Sequence, residues 1–200
     1  MIAKGNNWFQ SYVKQEAETI ENLLDFVPKK LEELRKEMED SVKCIPSVEY
    51  EEWDSELEKN VERLWSPTVD TSIVDEMLDL FYATMVARIY SFAENGLRIL
   101  SGSSSKPKFK GQRGQKQPSD LDLYYQAIMK KYEINLPQIE NLWPNKNDVH
   151  NLRKQITHKG VSPLTEVVKH LSIDLDDVSK MLLFVEEKIL ENNPCYDSIV

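Results

Sequence analysis

The run SIVDEMLDLFYATMVARIYSFAENGLRIL, residues 72–100, decides the fold. Ile73, Met77, Leu80, Phe81, Val86, Ile89, Tyr90, Ala93, Leu97 and Leu100 recur at helical spacing. With Val74, Leu78, Tyr82, Met85, Phe92 and Ile99 between them, most of the circumference is apolar, as at the centre of a bundle or partly in a dimer interface. Ser72-Ile73-Val74-Asp75 reads as a capping box that opens this helix. Its few charges, Arg88, Glu94 and Arg98, are costly unless exposed or paired. Glu94 has two readings, an i,i+4 pair with Arg98 or the partner of a functional arginine elsewhere.

Upstream, Trp8, Phe9, Tyr12, Val13, Ile20, Leu23, Leu24 and Val27 keep one amphipathic stripe. Pro28 removes a backbone donor, so it kinks this helix or starts a second one at Lys29, with Leu31, Leu34, Met38 and Val42 as its stripe. Pro46 closes that segment. Residues 49–65 are strongly acidic, yet Trp53, Leu57, Val61 and Leu64 hold helical spacing, which reads as a helix with a solvated acidic face. Downstream, residues 101–118 carry Lys106, Lys108, Lys110, Arg113 and Lys116 without an acid. This is a flexible basic insert, either merely soluble or a set of charges that steers RNA phosphates.

Helix resumes at Ser119-Asp120-Leu121-Asp122, with Leu121, Tyr124, Tyr125, Ile128 and Tyr132 facing inward. A short element with Ile139 and Trp143 precedes a helix capped by Asn147 that carries Val149, Leu152 and Ile156 toward Gly160. Ser162-Pro163 opens a short helix, and Asp174 caps the last one, striped by Leu175, Val178, Met181, Leu182, Val185 and Ile189. The expectation is all-α, five to seven helices around a long apolar central helix. Residues 1–66 form accessory helices packed on a core of residues 67–200.

The totals agree with one folded core of helix: 40% apolar residues, 30% charged residues of both signs, and only 6 Gly. A net charge of -9 argues against a protein that coats nucleic acid, though not against a local basic site. No apolar run approaches the roughly 20 residues that span a bilayer, and no secretory core follows Met1, so no membrane partner and a cytoplasmic location are expected. Cys44 and Cys195 lack ligand-spaced partners, as do His150 and His170. Neither a metal nor another cofactor is expected.

Chemistry concentrates in Leu152-Arg153-Lys154-Gln155-Ile156-Thr157-His158-Lys159-Gly160. A permanent guanidinium holds phosphate oxygens, and an imidazole titrating near neutrality moves the proton that phosphodiester cleavage requires. The ribose 2′-hydroxyl then serves as nucleophile without a metal. Five positions along an ideal helix put Arg153 and His158 about 140° apart around the axis. The helix therefore distorts or ends between them, with Gly160 placed to allow an ending, or a second protomer shares the site across a twofold axis.

The string from Arg153 to Gly160 resembles the Arg-Asn-x-Ile-x-His-Gly form of the HEPN superfamily motif, and the helical order from about Thr71 to Asn192 is similar as well. The resemblance implies a dimerising helical bundle with paired Arg and His residues in the dimer cleft. Many such proteins are metal-independent endoribonucleases, acting as toxins or antiviral defence effectors in prokaryotes. Carried over, Arg153 and His158 match the catalytic pair, with Lys154, Thr157 and Glu94 as supporting residues. Lys154 stands where the family usually has Asn, Asp or His; it forgoes that residue's hydrogen bond and offers a phosphate contact instead. The implied partners are a second copy, RNA, and an antitoxin or regulatory protein. The competing expectation is a catalytically inactive module of the same fold that dimerises or binds a partner.

Overall fold

The computed structural model describes residues 8–43, 71–108, 118–159 and 170–193, which hold six helices and no strand. They are α1 (Trp8–Lys43), α2 (Ser72–Ser101), α3 (Asp120–Tyr132), α4 (Ile139–Leu142), α5 (Lys146–Lys159) and α6 (Leu171–Asn192). None of them is long and apolar enough to cross a membrane. The sequence readings at 44–70 and 160–169, including Pro46, the acidic stretch, Gly160 and Ser162-Pro163, lie outside the described residues, as do Cys44 and Cys195.

α1 is one helix of 36 residues with Pro28 inside it, so no second helix starts at Lys29. The reason is register: Ile20, Leu24, Val27 and Leu31 follow at steps of four, three and four, so continuing the helix keeps one stripe facing inward. That continuity outweighs the single backbone bond the proline forfeits. Phe9, Val13 and Ile20 are fully buried in the same hydrophobic cluster as residues of α2, α3, α5 and α6.

α2 packs against α1, α3, α5 and α6. Its buried residues are concentrated between Ala83 and Ser101, whereas Ile73, Met77 and Leu80 in the first turns are exposed. The apolar circumference read from sequence is thus covered over the second half only. The capping box at Ser72 does not form: Thr71 is the N-cap, its backbone is already helical, and no side chain caps the end. At the other end Gly102 adopts φ 63°, the left-handed conformation glycine tolerates, and donates to the Ile99 carbonyl at 2.9 Å. α3 satisfies two more terminal carbonyls there: Lys131 Nζ donates to Ser101 O at 2.8 Å and the Tyr132 hydroxyl to Leu100 O at 3.0 Å. Gly96 lets α6 approach; a Cβ there would stand 2.5 Å from a methyl of Leu182, which is itself fully buried.

α3 opens on a capping box in which the Ser119 hydroxyl accepts from the Asp122 N–H and the Asp122 carboxylate accepts from the Ser119 N–H, both at 3.2 Å. Two other caps are displaced. α5 starts at Lys146, so Asn147 lies inside its first turn, and α6 starts at Leu171 behind the N-cap His170. Asp174 sits in the first turn of α6, 1% exposed, where it accepts a 2.9 Å hydrogen bond from the indole N–H of the fully buried Trp143. A carboxylate at that depth serves better as the indole's acceptor than as a cap that solvent can supply.

Candidate functional site

An open cleft of about 1040 Å³ runs between the second half of α2, the N-terminal end of α3, α4 and one face of α5. Its floor is Tyr90, which is 1% exposed and packs at a tilt against Trp143, with ring centroids 6.1 Å and planes 50° apart. Burial pushes the Tyr90 hydroxyl's pKa up, and a hydrogen bond with Ser119 partly offsets this. One wall is the ammonium of Lys146, 4% exposed, which donates 2.7 Å bonds to both Asp122 and Glu140. Burial works against that charge, but the two carboxylates outweigh it and the pKa of Lys146 ends up raised. The pKa values of Asp122 and Glu140 are correspondingly lowered, in each case by the Lys146 hydrogen bond working against burial.

Arg153 projects from α5 to the mouth of this cleft. Its guanidinium carbon lies 4.7 Å from the centre of the Tyr90 ring, a cation–π distance, and one nitrogen is 3.4 Å from Glu94. Glu94 therefore faces Arg153 from α2, and the i,i+4 pair with Arg98 is not formed. Among the described residues this one long contact is all that engages the five guanidinium donors. Lys154 is exposed beside it and also lines the cleft. The Thr157 hydroxyl turns back onto its own helix, donating to the Arg153 carbonyl at 2.8 Å.

α5 continues as helix from Lys146 to Lys159, so it neither ends nor breaks between Arg153 and His158. By helix geometry the two positions lie about 140° apart around the axis, and among the described side chains Asn147, His150, Asn151, Arg153 and Lys154 of α5 line the cleft. Of the basic insert, Lys106 pairs with Asp120 at the start of α3 and Lys108 is exposed. Lys110, Arg113 and Lys116 lie outside the described residues. No group of three or more His, Cys, Asp or Glu among the described residues is arranged to hold a metal ion.

Sequence reasoning missed Tyr90, Lys146 and His150 as parts of one site. For His150 the signal was present: with Arg153 and Lys154 it stands at i, i+3 and i+4, spacing that places three nitrogen-bearing side chains on one helix face. For Tyr90 there was none, because it reaches the site from a helix about sixty residues earlier, and Lys146, on α5 itself, is drawn in by Asp122 and Glu140 from other helices. No family model, curated protein or solved structure matches the chain.

Proposed function

We propose that the protein is a metal-independent endoribonuclease of the HEPN type, which cleaves RNA by attack of a ribose 2′-hydroxyl on the adjacent phosphate. The observation that carries this reading is Arg153, a permanent cation poised at a cleft mouth on the face of Tyr90, with most of its donors unengaged among the described residues. Held there, it meets phosphate oxygens and the charge that builds on them in the transition state. Lys154 adds a second positive charge on the same side. Because α5 is uninterrupted and the two positions lie about 140° apart around it, a homodimer that joins two copies of α5 is the arrangement in which the pair acts together. A role as a toxin or defence effector, restrained by a cognate protein, follows from the same resemblance.

Incubation with RNA in EDTA tests this. Cleavage should survive chelation, leave 2′,3′-cyclic or 3′-phosphate ends, and be lost in Arg153→Ala and His158→Ala, while sedimentation gives a dimer. A folded dimer that leaves RNA intact at every enzyme concentration would decide for the second reading, a partner-binding module. That reading is favoured by Ile73, Met77 and Leu80, three exposed apolar side chains on one face of α2.

A further inference from the structure

The chain's chemistry was read from Arg153 and His158, yet the imidazole that shares the cleft with Arg153 is that of His150. One turn before Arg153 and Lys154 on α5, it stands on the same helix face as both. Its ring lies against Tyr90 with centroids 5.2 Å apart and planes 31° apart, and Arg153 covers the same aromatic ring at 4.7 Å. Tyr90 thus fixes an imidazole and a guanidinium side by side on one rigid surface, the kind of shared support that positions reacting groups. Nδ1 of His150 is buried and has no hydrogen-bond partner among the described residues. Buried polar atoms are nearly always paired, so an unpaired one calls for an explanation such as a catalytic role. With Nδ1 shut away, Nε2 is the nitrogen left for that ligand.

We propose that His150 is a catalytic residue of the cleft: with Arg153 and Lys154 it receives a ribonucleotide phosphodiester and accepts the 2′-hydroxyl proton. The inference rests on the ribonuclease reading and adds the residue that one chain supplies by itself. In the step, Nε2 takes the proton as the 2′-oxygen forms its bond to phosphorus and the bond from phosphorus to the 5′-oxygen breaks. The 5′-oxygen leaves with a proton from solvent, His150 later returns its own to solvent, and the product is a 2′,3′-cyclic phosphate. Arg153 and Lys154 neutralise the phosphate oxygens.

The surroundings suit a proton acceptor. Burial first, then Lys154 and Arg153, push the imidazole below its ordinary pKa; Lys146 acts in the same direction and Asp122 opposes them. Glu94, Asp120 and Glu140 complete the charges lining the cleft, and each is engaged, by Arg153, Lys106 and Lys146 respectively. His150 is therefore neutral at pH 7, the form that takes up a proton. A bound phosphate, by neutralising the two cations that depress it, shifts the ring toward the charged form as the reaction proceeds.

The test uses the full chain with isotopically labelled histidine and a non-cleavable 2′-deoxy dinucleotide as probe. The His150 ring signals should move saturably on titration, and their pH midpoint should rise in the bound state. His150→Gln should cut RNA cleavage by about 100-fold or more while holding the dinucleotide within about threefold of wild type, the split expected for lost proton transfer. Lys154→Gln, at an exposed position, should instead weaken binding and flatten its salt dependence, which keeps the site testable if the histidine variant folds poorly. Wild-type cleavage with His150→Gln at full rate overturns the inference and leaves the ribonuclease reading standing. An inert wild-type protein overturns the ribonuclease reading and with it the catalytic step; a saturable His150 shift then upholds the phosphodiester site alone. An unmoved His150 overturns that site too.

Discussion

Two regions of the bundle bury carboxylates in opposite ways. Along the cleft, Asp122 and Glu140 share the ammonium of Lys146 and are held ionised. On the opposite side of the core, where α6 meets α1, Glu186 is 5% exposed with Gln10 as its hydrogen-bonding neighbour, and burial raises its pKa. Asp174 behind the cleft resembles Glu186: burial raises it although Trp143 and Asn145 donate to it. The cleft keeps its charges as charges because a cation is built in, while the core tolerates an acid by favouring its neutral form. The difference is that the cleft holds ionised side chains paired with one another, whereas the core holds an acid whose neutral form is favoured.

The largest effect is expected from removing the cation. Lys146→Met keeps the stem but leaves two carboxylates without their partner, and should cost about 3 kcal/mol in a urea melt at pH 7. That figure is at the low end for a broken buried pair because Glu140 is 41% exposed and screened by solvent. The pH dependence should follow: Asp122 and Glu140 have lowered pKa values, so their stabilisation is complete above about 4.5 and is lost as pH falls through those values. Lys146→Met should therefore lose its defect in acid. A defect that is constant with pH would mean that the ammonium acts by packing alone.

Packing between α2 and α6 comes next. Gly96→Ala places a methyl 2.5 Å from a buried Leu182 methyl, which overpacking arguments put at about 1–3 kcal/mol, less what alanine gains as a helix former. Because Leu182 is fully buried it has little room to turn away. Combining Gly96→Ala with Leu182→Ala should cost less than the sum of the two by about 1 kcal/mol, since the second change removes the atoms the first one meets. Simple additivity of the two would place the strain elsewhere.

The core acid has the opposite pH sign. Glu186 has a raised pKa, so the native state retains its proton where the unfolded chain has lost it, and stability declines as pH rises from about 4.5 through the raised value. Glu186→Gln should raise stability at pH 7 by about 1 kcal/mol and change nothing in acid. If the variant is equally stable at both pH values, the carboxyl is not buried in solution, and the contrast between the two regions fails.

How much of this the sequence disclosed depends on how local the cause is. The helices themselves were legible, because the stripes through Phe9, Ile89 and Val178 are periodic and all three residues end up buried. The capping box at Ser119 was legible from four adjacent residues. Three other helix starts were not, at Ser72, Lys146 and Leu171: Asp174 looks like a cap until Trp143 comes from 31 residues away to claim it. Of the site, Arg153 was readable, but its neighbours Tyr90 and Glu94 sit about sixty residues earlier, and periodicity carries no information on which turns of two helices meet. The helix does not end between Arg153 and His158 as their spacing suggested, and His150 is a histidine one turn from Arg153 on the same helix.

The smallest effect concerns the one acid that touches the functional cation. Glu94 lies 3.4 Å from Arg153, and both side chains are part-exposed, so the pair contributes little to folding; Glu94→Gln should shift stability by less than about 1 kcal/mol. Its influence on an anionic ligand is larger in proportion. A carboxylate near a phosphate held by Arg153 opposes it by about 0.7 kcal/mol at a separation of about 6 Å in water, a factor of about three in affinity. Glutamine retains an oxygen that accepts from Arg153, so the guanidinium stays over Tyr90 while the opposing charge disappears. Glu94→Gln should therefore tighten binding of the 2′-deoxy dinucleotide about threefold at low salt, and the advantage should shrink as ionic strength rises. Weaker binding would show that the Glu94 charge orients Arg153 more than it competes with the ligand, and that the cleft relies on this carboxylate as it does on Asp122 and Glu140.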